Sequence, residues 1–294
     1  MENVIECNNL THYYGKRKIY EDLSFTVPKG KILGLLGKNG TGKTTTINIL
    51  SGYLKPKAGE CRIFGQDITT MDPIEKRRIG LLLEGHVQYT FMTIEQLEKF
   101  YSAFYPNWDN TVYYELMKKL KVAPNQRISN MSCGQRSQVA LGIILAQNPE
   151  LLILDDFSLG LDPGYRRLFI DYLKEYAVAE GKTIFVTSHI IQDMERFIDD
   201  CIIMDYGRIL IQDSLDNLYK SFNCYEFETQ NEQINLDTSL FINTEVYRNK
   251  VRTYTFGEDA EVYQALNQKQ IDPASLKKVD MSLEDIFIGL TGKY

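Results

Sequence analysis

The stretch GKNGTGKTT at 37–45 constrains the fold of this chain more than any other feature of the sequence. It matches the pattern G-x-x-x-x-G-K-[ST] and stands between KILGLLG at 31–37, which predicts a strand, and TGKTTTINILSG at 41–52, which predicts a helix. Glycines let such a loop curl until its backbone N–H groups point inward, and the following helix adds the positive end of its dipole. The stretch therefore predicts a phosphate-binding loop at the end of a strand in an α/β sheet.

Different residues of this loop are expected to contact different parts of a nucleoside triphosphate and its metal ion. The glycines permit the curled backbone, Lys43 is placed to reach the β- and γ-phosphates, and Thr44 offers a hydroxyl to Mg²⁺. The candidate nucleotide-binding residues in the loop are Gly37, Lys38, Asn39, Gly40, Thr41, Gly42, Lys43, Thr44 and Thr45.

Strands and helices alternate along the first two thirds of the chain, which is typical of a parallel α/β sheet. The other elements predicted there are a strand at 59–67, helices at 93–121 with a break at Pro106 and from Ser132 to Asn148, a strand at 151–155, a helix at 165–180, a strand at 182–189 and two strands at 201–213. After about residue 216 the pattern changes to strands with helices at about 258–269 and 282–291. We expect a small α+β domain there.

Charge and composition narrow the class of protein. The formal net charge of −6 gives no electrostatic support for binding nucleic acid. The five cysteines are scattered and form no CxxC pair, which favours a reduced, intracellular setting over a zinc site or a disulfide scaffold. The N-terminus has no signal-peptide pattern, and the apolar run VALGIILA at 139–146 is far too short to span a bilayer. If the protein works at a membrane, another chain must provide the span.

Two further stretches contain candidate functional residues. In LLILDDFSLGLDP at 151–163, an apolar run ends in Asp155 and Asp156, as expected of a buried strand whose carboxyl end opens on a site. One carboxylate could hold a metal ion, which leaves the other for chemistry. In MSCGQ, Ser132 and Gln135 have the spacing of a capping box at the start of a helix.

Taken together, MSCGQ, the helix after it and LLILDDFSLGLDP resemble the ATP-binding cassette (ABC) family, whose usual forms are LSGGQ and LLILDEPTSGLD. HYYG at 12–15 and VTSH at 186–189 extend the resemblance over about residues 2–215. The resemblance implies an ABC ATP-binding domain at 1–215, with a parallel-sheet core, an N-terminal antiparallel β subdomain and a helical subdomain at about 85–147. A C-terminal accessory domain would occupy 216–294.

The family also implies a role for each matching residue. Tyr14 is placed like the aromatic residue that stacks on adenine, and His189 like the histidine that contacts the γ-phosphate of ATP. By the same resemblance Asp155 and Thr44 hold Mg²⁺, and Asp162 belongs to the loop that communicates across a dimer.

In this family the functional unit is a dimer with two Mg-ATP between its subunits. By resemblance, the signature residues that act in trans on the partner's ATP are Ser132, Cys133, Gly134 and Gln135. The implied partners are a separate transmembrane permease subunit and a second ATPase subunit, identical or different. The implied location is peripheral, on the cytoplasmic face of the cell membrane.

Three positions depart from the family pattern. Cys133 replaces a signature glycine, which either loosens the trans contact or is a tolerated small residue. Glu84 stands where a glutamine usually faces the membrane partner, and is either a catalytic-site acid near Mg²⁺ or water, or a surface-loop residue. Asp156 stands where a glutamate usually polarises the attacking water. Its carboxylate falls about one C–C bond, roughly 1.5 Å, short of the glutamate position, so we expect slow hydrolysis unless the backbone moves inward.

The segments FYPNWD at 104–109 and SLEDIFIGLTG at 282–292 resemble a subset of bacterial export ATPases that export, or protect against, antimicrobial or toxic peptides. The staphylococcal phenol-soluble modulin exporters are of this type. Two functions stay open: a transport ATPase that drives export of peptides or of other cargo, and a nucleotide-operated clamp with little hydrolysis beside a more active partner. Translation and DNA-repair members of the family are a minor alternative, since this chain has neither a second cassette nor a long coiled-coil insertion.

Overall fold

The computed structural model describes residues 2–83, 89–119, 121–158, 160–229, 234–271 and 275–292. The chain divides into two compact units, Met1–Ile209 and Leu210–Tyr294. The domain limits expected from the sequence, 1–215 and 216–294, stay a prediction. Within the described ranges, no helix combines the length and the apolar character needed to cross a bilayer.

The first unit contains two sheets. Its strands, the last of which runs into the second unit, are β1 (Asn3–Tyr14), β2 (Arg17–Pro28), β3 (Ile32–Gly37), β4 (Ala58–Ile63), β5 (Gln66–Asp67), β6 (Ile79–Leu82), β7 (Leu151–Asp155), β8 (Thr183–Thr187), β9 (Asp200–Asp205) and β10 (Arg208–Ser214). Its helices are α1 (Lys43–Leu50), α2 (Pro73–Lys76), α3 (Ile94–Ser102), α4 (Asn110–Lys119), a 3₁₀ turn at Ile128–Asn130, α5 (Cys133–Ala146), α6 (Pro163–Glu180) and α7 (Ile191–Phe197).

The six-stranded sheet has the order β10-β9-β3-β8-β7-β6. Strand β3 pairs in parallel with β8 and β9, and β7 pairs in parallel with β6 and β8. Every residue of β7 and β8 is buried, as expected of parallel strands covered on both faces. The prediction of a parallel α/β core is therefore confirmed. The phosphate-loop stretch follows β3, and Asp155 and Thr187 are the last residues of β7 and β8. These candidate site residues therefore lie at the same edge of the sheet, at the carboxyl ends of its parallel strands.

The antiparallel sheet has the order β2-β1-β4-β5. Strands β1 and β2 are joined by a two-residue turn at Gly15 and Lys16, in which Gly15 has a φ of 60°. This turn places Tyr14 directly opposite Arg17 in the strand register. The antiparallel β subdomain implied by the family resemblance is thus present.

Helix starts and stops follow local chemistry. The predicted break in the helical stretch 93–121 is present, although α3 already ends at Ser102, before Pro106. Helix α4 begins at Asn110, where Asp109 Oδ1 accepts a hydrogen bond from Thr111 N at 2.9 Å. The predicted start of the helix after the phosphate loop at residue 41 was too early. Gly42 has a φ of 107°, which is incompatible with a helix, so α1 begins at Lys43.

The second unit is an α+β domain, as predicted. Its elements are α8 (Leu215–Ser221), β11 (Asn223–Glu228), β12 (Asn243–Tyr247), β13 (Lys250–Thr255), α9 (Asp259–Gln268), β14 (Lys277–Val279) and α10 (Leu283–Thr291). The sheet order is β12-β13-β11-β14, and all its pairs are antiparallel. Helix α8 was not predicted. Its start depends on Ser214, whose hydroxyl accepts a hydrogen bond from Asn217 N at 3.2 Å.

Candidate nucleotide-binding site

The loop between β3 and α1 has the curled backbone predicted from its glycines. Gly40 and Gly42 have φ values of 80° and 107°, which L-residues rarely adopt. A Cβ placed on Gly37 would lie 2.6 Å from Thr41 Oγ1 and 2.9 Å from the Met204 carbonyl oxygen. The loop therefore needs glycine both for its conformation and for the close approach of its own side chains and of β9.

Lys43 lies inside this loop. Its Nζ donates hydrogen bonds to the carbonyl oxygens of Gly37 at 2.6 Å and Lys38 at 3.0 Å. Burial lowers the pKa of the ammonium, while the nearby carboxylates of Asp156 and Asp155 act in the opposite direction and favour its charged form. The loop and the end of the sheet thus hold a cation where a phosphate chain would sit.

A pocket of about 320 Å³ opens over the loop. Seven of the predicted nucleotide-binding residues line it, namely Tyr14, Asn39, Gly40, Gly42, Lys43, Thr44 and Thr45, and so does Asp156. Two residues missed by sequence reasoning, Arg17 and Ile19, complete the lining. The basic run GKRK just after Tyr14 was the available signal, but the strand register was needed to show which side chain reaches the pocket.

Tyr14 is the aromatic residue at the rim of this pocket. Its side chain is 49% exposed, which leaves its ring available for stacking. The buried His12 ring contacts it edge-on, with ring centroids 4.9 Å apart. His12 therefore supports the ring that was predicted to receive adenine.

Asp155 ends β7 as a buried carboxylate, and its Oδ1 accepts a hydrogen bond from Thr187 Oγ1 on β8. Thr44 is exposed at the pocket. These carboxylate and hydroxyl oxygens are donors that Mg²⁺ prefers. In the described ranges, no three His, Cys, Asp or Glu side chains cluster as a metal cage. One or two protein oxygens suit Mg²⁺, because that ion usually takes its other ligands from water and nucleotide phosphates.

Asp156 and His189 contact each other, which the sequence did not predict. Asp156 Oδ1 accepts a hydrogen bond from the His189 backbone N–H at 3.0 Å and lies 2.8 Å from His189 Nδ1. Asp156 has a φ of 43°, and its own N–H donates to the Thr187 carbonyl oxygen at 3.2 Å. Two of the three residues predicted to be catalytic therefore contact each other, and one of them, Asp156, lines the pocket.

The signature stretch begins α5 as predicted. Ser132 Oγ accepts a hydrogen bond from Gln135 N at 3.2 Å, and Gln135 Oε1 accepts one from Ser132 N at 3.0 Å, so the predicted capping box is confirmed. Cys133 is exposed, and its Sγ lies 3.8 Å from the position of a Cβ on Gly160. None of residues 132–135 belongs to the described lining of the phosphate-loop pocket in its own chain.

Two predicted site residues remain. Asp162 is exposed at the start of α6, where its carbonyl oxygen accepts a hydrogen bond from Arg166 N at 2.9 Å, and its side chain makes no capping bond. Glu84 lies outside the described residues.

Comparison with known proteins identifies the family of this chain. Residues 20–158 match the family model described as ABC transporter. The bacitracin transport ATP-binding protein BcrA of Bacillus licheniformis is 30% identical over 305 residues, which cover 99% of this chain and 98% of that protein. A Nod factor export ATP-binding protein I of Cupriavidus metallidurans is 28% identical, covering 100% of this chain and 99% of that protein.

Solved structures show the same fold. The ATP-binding subunit of an ABC transporter superposes with a TM-score of 0.65 at 27% identity, covering 74% of this chain and 92% of that one. A bacterial ABC transporter cassette solved as a dimer gives a TM-score of 0.64 at 23% identity, covering 72% and 98% of the two chains. With the phosphate loop, the sheet order and these relatives in agreement, the chain belongs to the ATP-binding cassette family and is an ATPase subunit of an ABC transporter.

Proposed function

We propose that this subunit binds Mg-ATP in the pocket over the phosphate loop and dimerises around two such nucleotides to drive export through a separate membrane subunit. The observation that carries the proposal is that Tyr14, Lys43 and Asp156, which are far apart in the sequence, line one pocket. They supply a stacking surface, a cation for the phosphates and a carboxylate for water.

The phosphate chain is held by Lys43 and the loop backbone. Lys43 Nζ, which contacts the carbonyl oxygens of Gly37 and Lys38, has the reach to exchange those contacts for β- and γ-phosphate oxygens. The loop N–H groups and the start of α1 add donors aimed at the same anion. Thr44 and Asp155 would hold Mg²⁺, which when bound neutralises charge on the β- and γ-phosphates.

The Asp156–His189 unit performs the proton chemistry in this proposal. Asp156 Oδ1 holds the His189 ring and backbone. We assign the imidazole held in this way to the γ-phosphate contact. Asp156 Oδ2 is then the oxygen that takes a proton from the attacking water. Because the carboxylate is short and is tied to His189, we propose that hydrolysis is slow and the ATP-bound dimer long-lived.

Dimerisation completes the site. The signature residues 132–135 do not line the pocket of their own chain, which supports their action on the partner's ATP. A solved cassette with this fold is described as dimeric. We assign Asp162 to the loop that communicates across the dimer. Glu84 is assigned to the loop that faces the permease, with its carboxylate as a catalytic-site acid for Mg²⁺ or water.

The proposed cargo is peptides or antimicrobial compounds, exported from the cytoplasmic face of the cell membrane. Two relatives similar over nearly their whole length are named for bacitracin transport and for Nod factor export, which supports export as the direction. The phenol-soluble modulin exporter type stays a hypothesis about the cargo alone.

A second candidate is a nucleotide-operated clamp that hydrolyses little and is paired with a more active ATPase subunit. The contact of Asp156 with His189 favours it, since a carboxylate used to orient histidine is less free to activate water.

The proposal is tested by copurifying the membrane-bound complex and identifying its chains, then measuring ATP-dependent peptide uptake into inverted vesicles. We expect a permease in the complex and uptake that is lost with Lys43→Ala. A complex without any membrane chain would contradict the transport role. A second, different ATPase subunit that sustains uptake when this chain carries Asp156→Asn would support the clamp.

A further inference from the structure

We propose that Arg17 is a nucleotide-binding residue whose guanidinium contacts a phosphate that ATP and ADP share, rather than the γ-phosphate. The inference rests on the proposed placement of the nucleotide over the phosphate loop. It adds a second cation to that site, on a different element from Lys43.

Strand β2 packs across the phosphate loop, and this packing holds Arg17 in place. A Cβ on Gly42 would lie 2.8 Å from Tyr20 Cδ1 and 2.9 Å from Ile19 Cγ2. Side chains two positions apart in a strand share a face, so Arg17 follows Ile19 toward the loop. A Cβ on Gly40 would accordingly lie 3.1 Å from Arg17 Nη2. Arg17 is therefore held over the middle of the loop.

The guanidinium is exposed and lines the pocket. Its neighbour Lys18 pairs with Glu21 at 3.3 Å, whereas no acidic partner of Arg17 is found in the part of the chain that the structure describes. Guanidinium presents a planar fork of donors that matches phosphate oxygens, and such charge-assisted bonds are about twice as strong as neutral ones. A phosphate group is the ligand that this arrangement suits.

The position of Arg17 relative to the other site residues indicates which phosphate of the nucleotide it contacts. Tyr14, the proposed adenine platform, is its direct partner in the strand register. Lys43 and Thr44, the groups for the β- and γ-phosphates and Mg²⁺, lie at the helix end of the loop. Arg17 stands at Gly40 between these two ends, which places its contact on the α- or β-phosphate.

The experiment is calorimetric titration of the full-length chain with Mg-ATP and with Mg-ADP, for Arg17→Ala, Arg17→Lys and the control Lys16→Ala. Lys16 is an exposed cation in the same turn and does not line the pocket. We expect Arg17→Ala to weaken ATP and ADP by the same factor, about tenfold, which corresponds to one charge-assisted hydrogen bond. Arg17→Lys should recover part of that loss, and Lys16→Ala should change affinity by less than about twofold.

Three results would overturn the assignment: unchanged affinity in Arg17→Ala, an equal loss in Lys16→Ala, or a loss confined to ATP. Thermal unfolding of each variant confirms folding. If Arg17→Ala does not fold, Arg17→Lys, which keeps a long, positively charged side chain but loses the guanidinium fork, takes its place in the titrations. Titration of Lys43→Ala separates the two proposals. If Lys43→Ala abolishes binding while Arg17→Ala leaves it intact, the nucleotide site stands and the role of Arg17 fails.

Discussion

Asp156 Oδ1 lies 2.8 Å from His189 Nδ1 and accepts a hydrogen bond from the His189 backbone N–H at 3.0 Å. The carboxylate therefore holds both the ring and the main chain of His189 through one oxygen. An aspartate that orients a histidine keeps the imidazole in one tautomer, with Nδ1 protonated and Nε2 directed away from the carboxylate. Orientation of His189 and activation of water are thus two separable tasks of the same side chain.

Substitutions at Asp156 distinguish these tasks. Asn keeps an oxygen that can accept both His189 hydrogen bonds but removes the base, whereas Ala removes both functions. If Asp156 is the base, Asp156→Asn should lower kcat by about 10²–10⁴-fold. Asp156→Glu should raise turnover, because a carboxylate misplaced by about 1 Å can cost about 10²-fold. ATPase rates at saturating Mg-ATP measure both effects.

His189→Ala is the matched comparison for this series, since it removes the ring while keeping the backbone N–H bond to Asp156. If Asp156→Asn hydrolyses ATP as fast as the parent, Asp156 has only a positioning role and the clamp function is favoured. If Asp156→Glu is no faster than the parent, the short side chain does not limit the rate.

Replacement of Lys43 by alanine should abolish measurable ATP binding. The substitution removes the cation that lies inside the loop, where its Nζ contacts Gly37 and Lys38. Charged hydrogen bonds of this kind contribute about 1.5–3 kcal/mol each. Calorimetric titration with Mg-ATP measures the loss, with the exposed Lys55→Ala as the control. Unchanged affinity in Lys43→Ala would argue against the phosphate-loop assignment.

Substitution of Thr187 should change the Mg²⁺ concentration that ATPase activity requires, although Thr187 does not itself bind the metal in our proposal. Thr187 Oγ1 donates a hydrogen bond to Asp155 Oδ1 and so orients the carboxylate proposed to hold Mg²⁺. Loss of such a supporting bond typically weakens metal affinity by about 10–100-fold. Thr187→Val should therefore need more Mg²⁺ for half-maximal ATPase activity, and excess metal should restore the rate.

Asp155→Asn serves as the comparison for Thr187→Val. It removes the charge of the proposed ligand, so excess Mg²⁺ should fail to restore activity. An unchanged Mg²⁺ requirement in both variants would place the metal site elsewhere.

ATP should promote dimers of Asp156→Asn, in which hydrolysis is blocked, and adding Ser132→Arg should prevent them. The longer arginine side chain would fill the space at the start of α5, where the ATP of the partner is proposed to dock. Since Ser132 does not line the pocket of its own chain, Mg-ATP should still bind the monomer. Sedimentation velocity with and without ATP measures assembly.

Val178→Arg, a substitution at a side chain that is 76% exposed on α6, is the control for added bulk and charge. Equal dimerisation of the Ser132→Arg and Val178→Arg proteins would rule out a trans contact at the signature stretch.

Much of this molecule could be predicted from short-range sequence pattern. The phosphate loop, the buried run that ends at Asp155 and the capping box of Ser132 and Gln135 each depend on residues within a few positions of one another. Their geometry follows from backbone preferences and local hydrogen bonds, which any surrounding fold must accommodate. The family resemblance then assigned roles to Tyr14 and His189.

Other features depended on contacts between residues distant in the sequence. Asp156 and His189 are 33 positions apart, and their contact exists because β7 and β8 pair in parallel and end at the same edge of the sheet. Arg17 reaches Gly40 because β2 packs across the phosphate loop, with Ile19 and Tyr20 pressed against Gly42. No local pattern specifies which strands become neighbours or in what register. That choice comes from burial of apolar side chains across the whole domain, so these two contacts became visible only in the folded chain.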